Sequence, residues 1–263
     1  MGGNERPMFY RFRPLATKLD FYRLKETLQT GKFWCSKFSE LNDPMEGIFI
    51  TFDPEYLKLV DIKEDCRICS FSGKTALTKP CMWGYYANGF RGVAIGINVV
   101  SENVYKENQD KQETPNENVL NKMHKIDYRK DILQVSTDEP TRKVGKILTA
   151  KLPAWKHECE YRFLTNHEQY KIGDIKCLVF GAPYLKCENF EQTVKGSASL
   201  RRYYKYVIKI ANFVKVMEEK QKIMLRWAAS NDGKKVEPKP LQGFEENFKK
   251  ILHIYRHTQC DGM

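Results

Sequence analysis

The segment Trp155-Lys156-His157-Glu158-Cys159-Glu160-Tyr161-Arg162 sets two carboxylates two residues apart, among strong cations. In an extended strand, residues i and i+2 point to the same side, so Glu158 and Glu160 are expected to share a face. Two like charges held together repel, which raises at least one of the two pKa values. Such a pair can orient a hydroxyl, stabilise positive charge or bind a metal. The same spacing also fits an exposed strand face with Arg162 as an ion-pair partner, and by itself it does not separate these readings.

Other segments carry chemistry of their own. Tyr10-Arg11-Phe12-Arg13 alternates aromatic and basic residues. As a strand it would present Arg11 and Arg13 on one face, where guanidinium groups can grip a pyrophosphate bidentately. Ser70-Phe71-Ser72 would place two hydroxyls on one strand face, and Trp83-Gly84-Tyr85-Tyr86 offers rings that can stack on a base or simply fill a core. Asn42-Asp43-Pro44-Met45-Glu46 could ligate a hard cation, or form a turn in which Asn42 or Asp43 bonds the backbone. Cys66 and Cys69 lack the further ligands of a structural zinc site. His253 and His257, four apart, lack the glutamate of a zinc-protease motif. No metal site is therefore assigned. Phosphate-loop, dinucleotide-fold and serine-hydrolase signatures are absent from the sequence.

The elements that would hold these residues can be read from periodicity and punctuation. Strands are expected at Met8–Arg13, Phe33–Ser36, Cys66–Ser72, Gly92–Val99, Lys125–Tyr128, Ile175–Phe180 and Tyr203–Ile210. Trp155–Thr165 reads as a strand with its lead-in. Helices are expected from Thr17 to Gln29 with Gly31 as its stop, over Met82–Ala87, Thr141–Lys151 and Lys215–Ala229, and last over Phe244–His257. Asn88-Gly89, Asn231-Asp232-Gly233 and Pro238-Lys239-Pro240 mark turns or loops, and about Ser101–Asn121 is a polar excursion. Strands and helices do not alternate regularly, so the fold class is α+β rather than a doubly wound sheet. A single α+β domain is expected over 1–263, with the motifs in 8–183 and a basic, mainly helical part over 190–263.

The chain has 263 residues, 41% hydrophobic and 13% aromatic, enough to build a core. It holds no apolar run of about eighteen residues, so no membrane span is expected. The start Met1-Gly2-Gly3-Asn4-Glu5-Arg6-Pro7 does not read as a secretory signal. The 8 cysteines sit mostly among apolar neighbours, as buried thiols do, which points to the cytoplasm. The net charge of +11 favours a polyanionic partner such as RNA or DNA, though a solvated basic surface would give the same sum.

Taken in order, the motifs resemble a bacterial family, domain of unknown function 2971. They are Tyr10-Arg11-Phe12-Arg13, Asn42-Asp43-Pro44-Met45-Glu46, Cys69-Ser70-Phe71-Ser72, Trp83-Gly84-Tyr85-Tyr86 and Glu158-Cys159-Glu160-Tyr161-Arg162. The resemblance spans roughly Phe9 to Gly181. More distantly, the layout is similar to the ADP-ribosyltransferases, with an arginine on the first strand, a serine-bearing or aromatic second motif and a late E-x-E glutamate. That second resemblance implies two small β-sheets with peripheral helices and NAD, as substrate, in the cleft between them. It implies that Arg13 or Arg11 holds the phosphates, with Tyr10 on the same strand. Ser70 or Ser72 would shape the nicotinamide pocket and Tyr86 or Trp83 would stack on the ring. Glu160 would stabilise the oxocarbenium-like transition state and Glu158 would orient the nucleophile. It also implies a mono-ADP-ribosyltransferase acting on nucleic acid or protein, such as a toxin or phage-defence effector with an antitoxin or regulatory partner. Two alternatives stand beside it. One is a metal-dependent nuclease using Asp43, Glu46, Glu158 and Glu160 with Lys156 near the phosphate. The other is a non-catalytic nucleic-acid-binding protein carried by the basic stretch from Arg201 to Arg256.

Overall fold

The computed structural model describes residues 7–41, 43, 45–100, 103–104, 119–185, 187–217, 222–230 and 236–240. The loop at Asn231-Asp232-Gly233, the helix expected over Phe244–His257 with His253 and His257, and most of the polar excursion lie outside those residues. In chain order the elements begin with β1 (Met8–Pro14), α1 (Lys18–Thr30), β2 (Phe33–Trp34), β3 (Ser36–Lys37) and β4 (Phe49–Ile50). Then come α2 (Leu57–Asp65), β5 (Arg67–Gly73), α3 (Pro80–Tyr86), β6 (Gly92–Asn98), β7 (Lys122–Lys125) and β8 (Asp127–Tyr128). Next are β9 (Leu133–Gln134), α4 (Pro140–Leu148), β10 (Ala150–Lys151), β11 (Glu160–Thr165), β12 (Gln169–Tyr170) and β13 (Asp174–Gly181). The last are α5 (Phe190–Gly196), α6 (Ala198–Met217), β14 (Met224–Ser230) and β15 (Val236–Pro240). The mixed α+β class read from the sequence is the class observed.

By its contacts the chain divides into two compact units built from alternating segments, and the division falls inside β1. The first comprises Met1–Phe9, Gly31–Gly73 and Asn98–Asp174; the second comprises Tyr10–Thr30, Lys74–Ile97 and Ile175–Met263. In the first unit β11 is antiparallel to both β5 and β7, and β3 adds to β5. Short pairs join β8 to β10 and β4 to β9 in parallel, and β2 to β12 antiparallel. Helices α2 and α4 close this unit's core, where Leu59, Ile68, Val144, Ile147, Leu148 and Leu164 pack together. Burying each such side chain contributes roughly 1.5–3 kcal/mol.

In the second unit β14 lies parallel to β13 and antiparallel to β15. The first helix starts as its sequence predicts. The Asp20 amide donates to Thr17 Oγ1 at 3.1 Å and the Thr17 amide donates to Asp20 Oδ2 at 2.8 Å, a reciprocal cap. It stops at Gly31, whose φ of +68° suits glycine. Two expectations are corrected here. Tyr203–Ile210 is not a strand but the middle of α6, because Leu200, Tyr203, Tyr204, Val207, Ile208, Ala211 and Val214 recur at three- and four-residue steps and are all buried. The expected helix from Lys215 to Ala229 gives way to the end of α6 at Met217 and to β14. Parallel pairing with β13, a contact distant in sequence, overrides the helical character of the segment.

Candidate functional site: a closed cluster of buried charge

Glu160 is the first residue of β11, and its backbone is register-paired with Ser72 of β5; Arg162 pairs with Ser70 in the same way. The alternation of strands therefore puts Glu160, Arg162, Ser70 and Ser72 on one face of two adjacent strands. Glu158 does not belong to that strand. It ends a 3-10 turn over Pro153–Glu158, and Cys159 then takes a left-handed conformation with φ 48° and ψ 46°. That geometry is uncommon for a residue with a side chain. The Gly73 amide fixes it by donating to the Cys159 carbonyl at 2.9 Å. The expected i, i+2 pair within one strand is thus corrected: a backbone reversal, not strand alternation, brings the two acids together.

They do not meet as bare like charges, because Lys151 stands between them. Its ammonium lies 2.6 Å from Glu158 Oε2, 3.0 Å from Glu160 Oε2 and 3.1 Å from Glu46 Oε1. An ammonium carries three N–H donors, and here each has a carboxylate. Arg162 closes the other side. Its Nε donates to Glu160 Oε1 at 2.9 Å, Nη2 to Glu46 Oε2 at 2.6 Å and Nη1 to the Leu148 carbonyl at 2.7 Å. Lys151, Glu46, Arg162 and Glu160 therefore form a ring of alternating charge, with Glu158 attached at Lys151. All five residues are buried, Arg162 at 1% exposure and Lys151 at 8%. Each position has its own support. Lys151 sits on β10 beside Tyr128 of β8, and the Glu160 amide donates to the Tyr128 hydroxyl at 2.8 Å. Glu46 is placed by the turn after Asp43: Asp43 Oδ1 accepts the Met45 amide at 2.9 Å, the backbone-bonding role foreseen for that acid. The flanking Asn42 and Pro44 lie outside the described residues.

Burial alone would raise the Glu160 carboxyl, but the adjacent Arg162 guanidinium and then Lys151 outweigh it and hold it well below the carboxylate range, with a further hydrogen bond from Ser70. The expectation of a raised pKa is corrected for this residue. Burial likewise opposes the charge on Lys151, yet Glu160 and Glu46 hold its pKa above the ordinary lysine value. Burial pushes the Tyr128 hydroxyl up to about 12. Glu160 is therefore a carboxylate fixed in place at neutral pH. It can present negative charge to a developing cation, but it cannot donate a proton.

Of the four acids named for a nuclease, Glu46, Glu158 and Glu160 gather, but around the ammonium of Lys151. Among the described residues no group of three or more His, Cys, Asp or Glu is arranged to hold a metal ion. Lys156 is exposed.

The other sequence-derived residues divide by unit. Ser70, Ser72, Glu158 and Glu160 belong to the first; Tyr10, Arg11, Arg13, Trp83 and Tyr86 belong to the second. Arg11 and Arg13 are half-buried on β1, while Tyr10 is buried, with its hydroxyl bonded to Cys177. Trp83 is corrected from stacking platform to core residue. It is 0% exposed, its Nε1 donates to the Leu77 carbonyl at 2.9 Å, and its ring stacks on Phe90 at 5.6 Å. Tyr86 is half-buried and Tyr85 is 72% exposed. Lys151 and Tyr128 escaped sequence reasoning. The available signal was a lone lysine set between Ala150 and Leu152, which is too common to weigh.

This geometry defines a mixed α+β protein organised, in its first unit, round a buried ring of charge. A family model described as a protein of unknown function, DUF2971, matches residues 82–163 and supports the DUF2971 family that the order of motifs resembles. The matched segment holds Lys151, Glu158, Glu160 and Arg162, but not Glu46 or the serines of β5. Comparison with curated proteins and with solved structures gives no match. Among the described residues no helix is long and apolar enough to cross a membrane.

Proposed function

We propose that this chain is an ADP-ribosyltransferase-like enzyme that consumes NAD, on the split-sheet fold of that class, with Glu160 as its catalytic carboxylate. The observation that carries the reading is the position of Glu160 at the start of β11, in register with Ser72 and hydrogen-bonded to Ser70. The late glutamate and the second-motif serines thus stand on neighbouring strands, which supports the shared pocket that the resemblance implies. The chemistry is consistent with that position. As the bond from ribose to nicotinamide breaks, positive charge develops on the sugar, and a preorganised carboxylate lowers the energy of that state. Arg162 keeps Glu160 ionised for the purpose. Both Glu160 oxygens are engaged in the structure, so the ribose hydroxyl must take over the contact with Lys151, which keeps Glu46 and Glu158 as partners. Glu158 orients the nucleophile, and Ser70 or Ser72 shapes the nicotinamide pocket.

The acceptor is nucleic acid or protein, and the net charge of +11 supports nucleic acid. A cytoplasmic toxin or phage-defence effector, restrained by an antitoxin or regulatory partner, is the setting that fits such an activity. Incubation with NAD labelled on its ADP-ribose, together with RNA, DNA and cell protein, tests the proposal. The native chain should transfer label to one of these, and Glu160→Gln should reduce transfer about a hundredfold or more. Transfer undiminished in Glu160→Gln would remove Glu160 from the reaction.

A further inference from the structure

The first unit also holds a cavity of about 510 Å³, away from the interior of the charge ring. Four cations line it: Lys125 and Arg129 from the β7–β8 segment, and Arg142 and Lys146 from one face of α4, four residues apart. The acid among the lining residues is Asp127, which is exposed and lies 3.9 Å from Arg129 Nη1. Glu139, outside the cavity wall, accepts from Arg142 Nη1 at 3.0 Å. Val119, Ile126 and Leu133 supply an apolar wall. The buried ring of His124 is turned to the Val119 carbonyl at 2.7 Å and adds a further polar edge. Arg129 carries a second signal. Its Nε is buried with no hydrogen-bond partner among the described residues, a donor whose desolvation nothing in the described chain offsets.

We infer that this cavity binds a phosphorylated small molecule, its phosphate held by Arg129, Arg142, Lys146 and Lys125 and its uncharged part resting on Val119, Ile126 and Leu133. Two guanidinium groups and two ammonium groups round one hollow match a compact multivalent anion, because guanidinium donors pair with phosphate oxygens in fixed forks while ammonium groups add point charge. The volume is that of a small-molecule site, and the mixture of apolar wall and convergent polar groups is what such sites show. The geometry also ties the cavity to the charge ring. The Arg129 amide donates to the Lys151 carbonyl at 2.9 Å and the Asp127 amide donates to the Thr149 carbonyl at 2.8 Å. Asp127 and Arg129 line the cavity while Tyr128, between them, accepts the Glu160 amide. The inference is independent of NAD turnover, since it is read by binding alone.

Isothermal titration of the full chain with pyrophosphate tests it. One pyrophosphate should bind per chain. Lys125→Gln and Arg142→Gln should each weaken binding about tenfold, the loss expected for one charge-assisted hydrogen bond. Lys58→Gln, which removes an equal charge from an exposed position elsewhere in the unit, should leave affinity unchanged. Lys125 is exposed, so its variant remains informative even where Arg142→Gln perturbs folding. Absence of binding overturns the inference. So does native-like affinity in both cavity variants, or equal weakening by Lys58→Gln, which would mark diffuse surface attraction.

Discussion

Lys146 and Lys151 lie five residues apart on one stretch of chain, and the fold uses them in opposite ways. Lys151 is buried, and each of its N–H donors is matched to a carboxylate of the same unit. Lys146 is half-buried on a cavity wall where cations outnumber acids. The difference is one of closure. In the ring, positive and negative groups satisfy one another away from water, so removing any member strands its partner at a cost larger than the intact pair contributes. At the cavity the cations line a hollow and their acidic neighbours, Glu139 for Arg142 and Asp127 for Arg129, are partly exposed, so removing one changes what can bind there far more than it changes folding.

Removal of Arg162 is the strongest way to break that comparison. Arg162→Leu leaves Glu46 and Glu160 without their guanidinium partner and should lower unfolding free energy by about 3–5 kcal/mol in urea titrations. A loss under about 1 kcal/mol would mean that the ring is not closed.

The pH dependence sharpens the same point. The folded pKa of Glu160 is depressed below its unfolded value. Its contribution to stability is therefore fully present above the unfolded carboxyl pKa of about 4.3 and is lost as pH falls through the folded value. Native stability should fall as pH drops below about 5, and in Glu160→Gln that part of the acid slope should vanish. An unchanged slope between about pH 5 and pH 2 would show that Glu160 is not held ionised by folding. At the other end of the scale, Lys146→Gln should leave stability within about 0.5 kcal/mol of native, measured in the same urea titrations. A larger loss would place Lys146 in a closed network of its own.

The two regions also differ in how far they could be read from sequence. Glu158, Glu160, Ser70 and Ser72 were legible because each sits in a short motif whose residue types suggest chemistry. What joins them was not. Glu46 is among the acids named for a nuclease, but it reaches the site only by a contact distant in sequence. Lys151, a few residues before Glu158, carries no motif of its own, and the αL backbone at Cys159 has no local residue signal of the kind glycine would give. The sign of the Glu160 pKa shift followed from those missing partners: two carboxylates alone repel, whereas two carboxylates bridged by an ammonium do not. In the fold, α1 was legible from its cap and its glycine stop, since both are local. The segment from Lys215 to Ala229 was not, because its strand exists only through pairing with β13. Trp83 was recognised as part of an aromatic cluster, but sequence could not separate a core ring from an offered one.

The measurement closest to the central claim is nicotinamide release from NAD by the native chain and by Glu160→Gln, each first shown to be folded by circular dichroism. Stabilisation of the ribosyl cation by Glu160 predicts release by the native chain, and a fall of about a hundredfold or more in the variant with little change in NAD affinity. Equal release from both proteins, or none from the native chain with acceptors supplied, would contradict it.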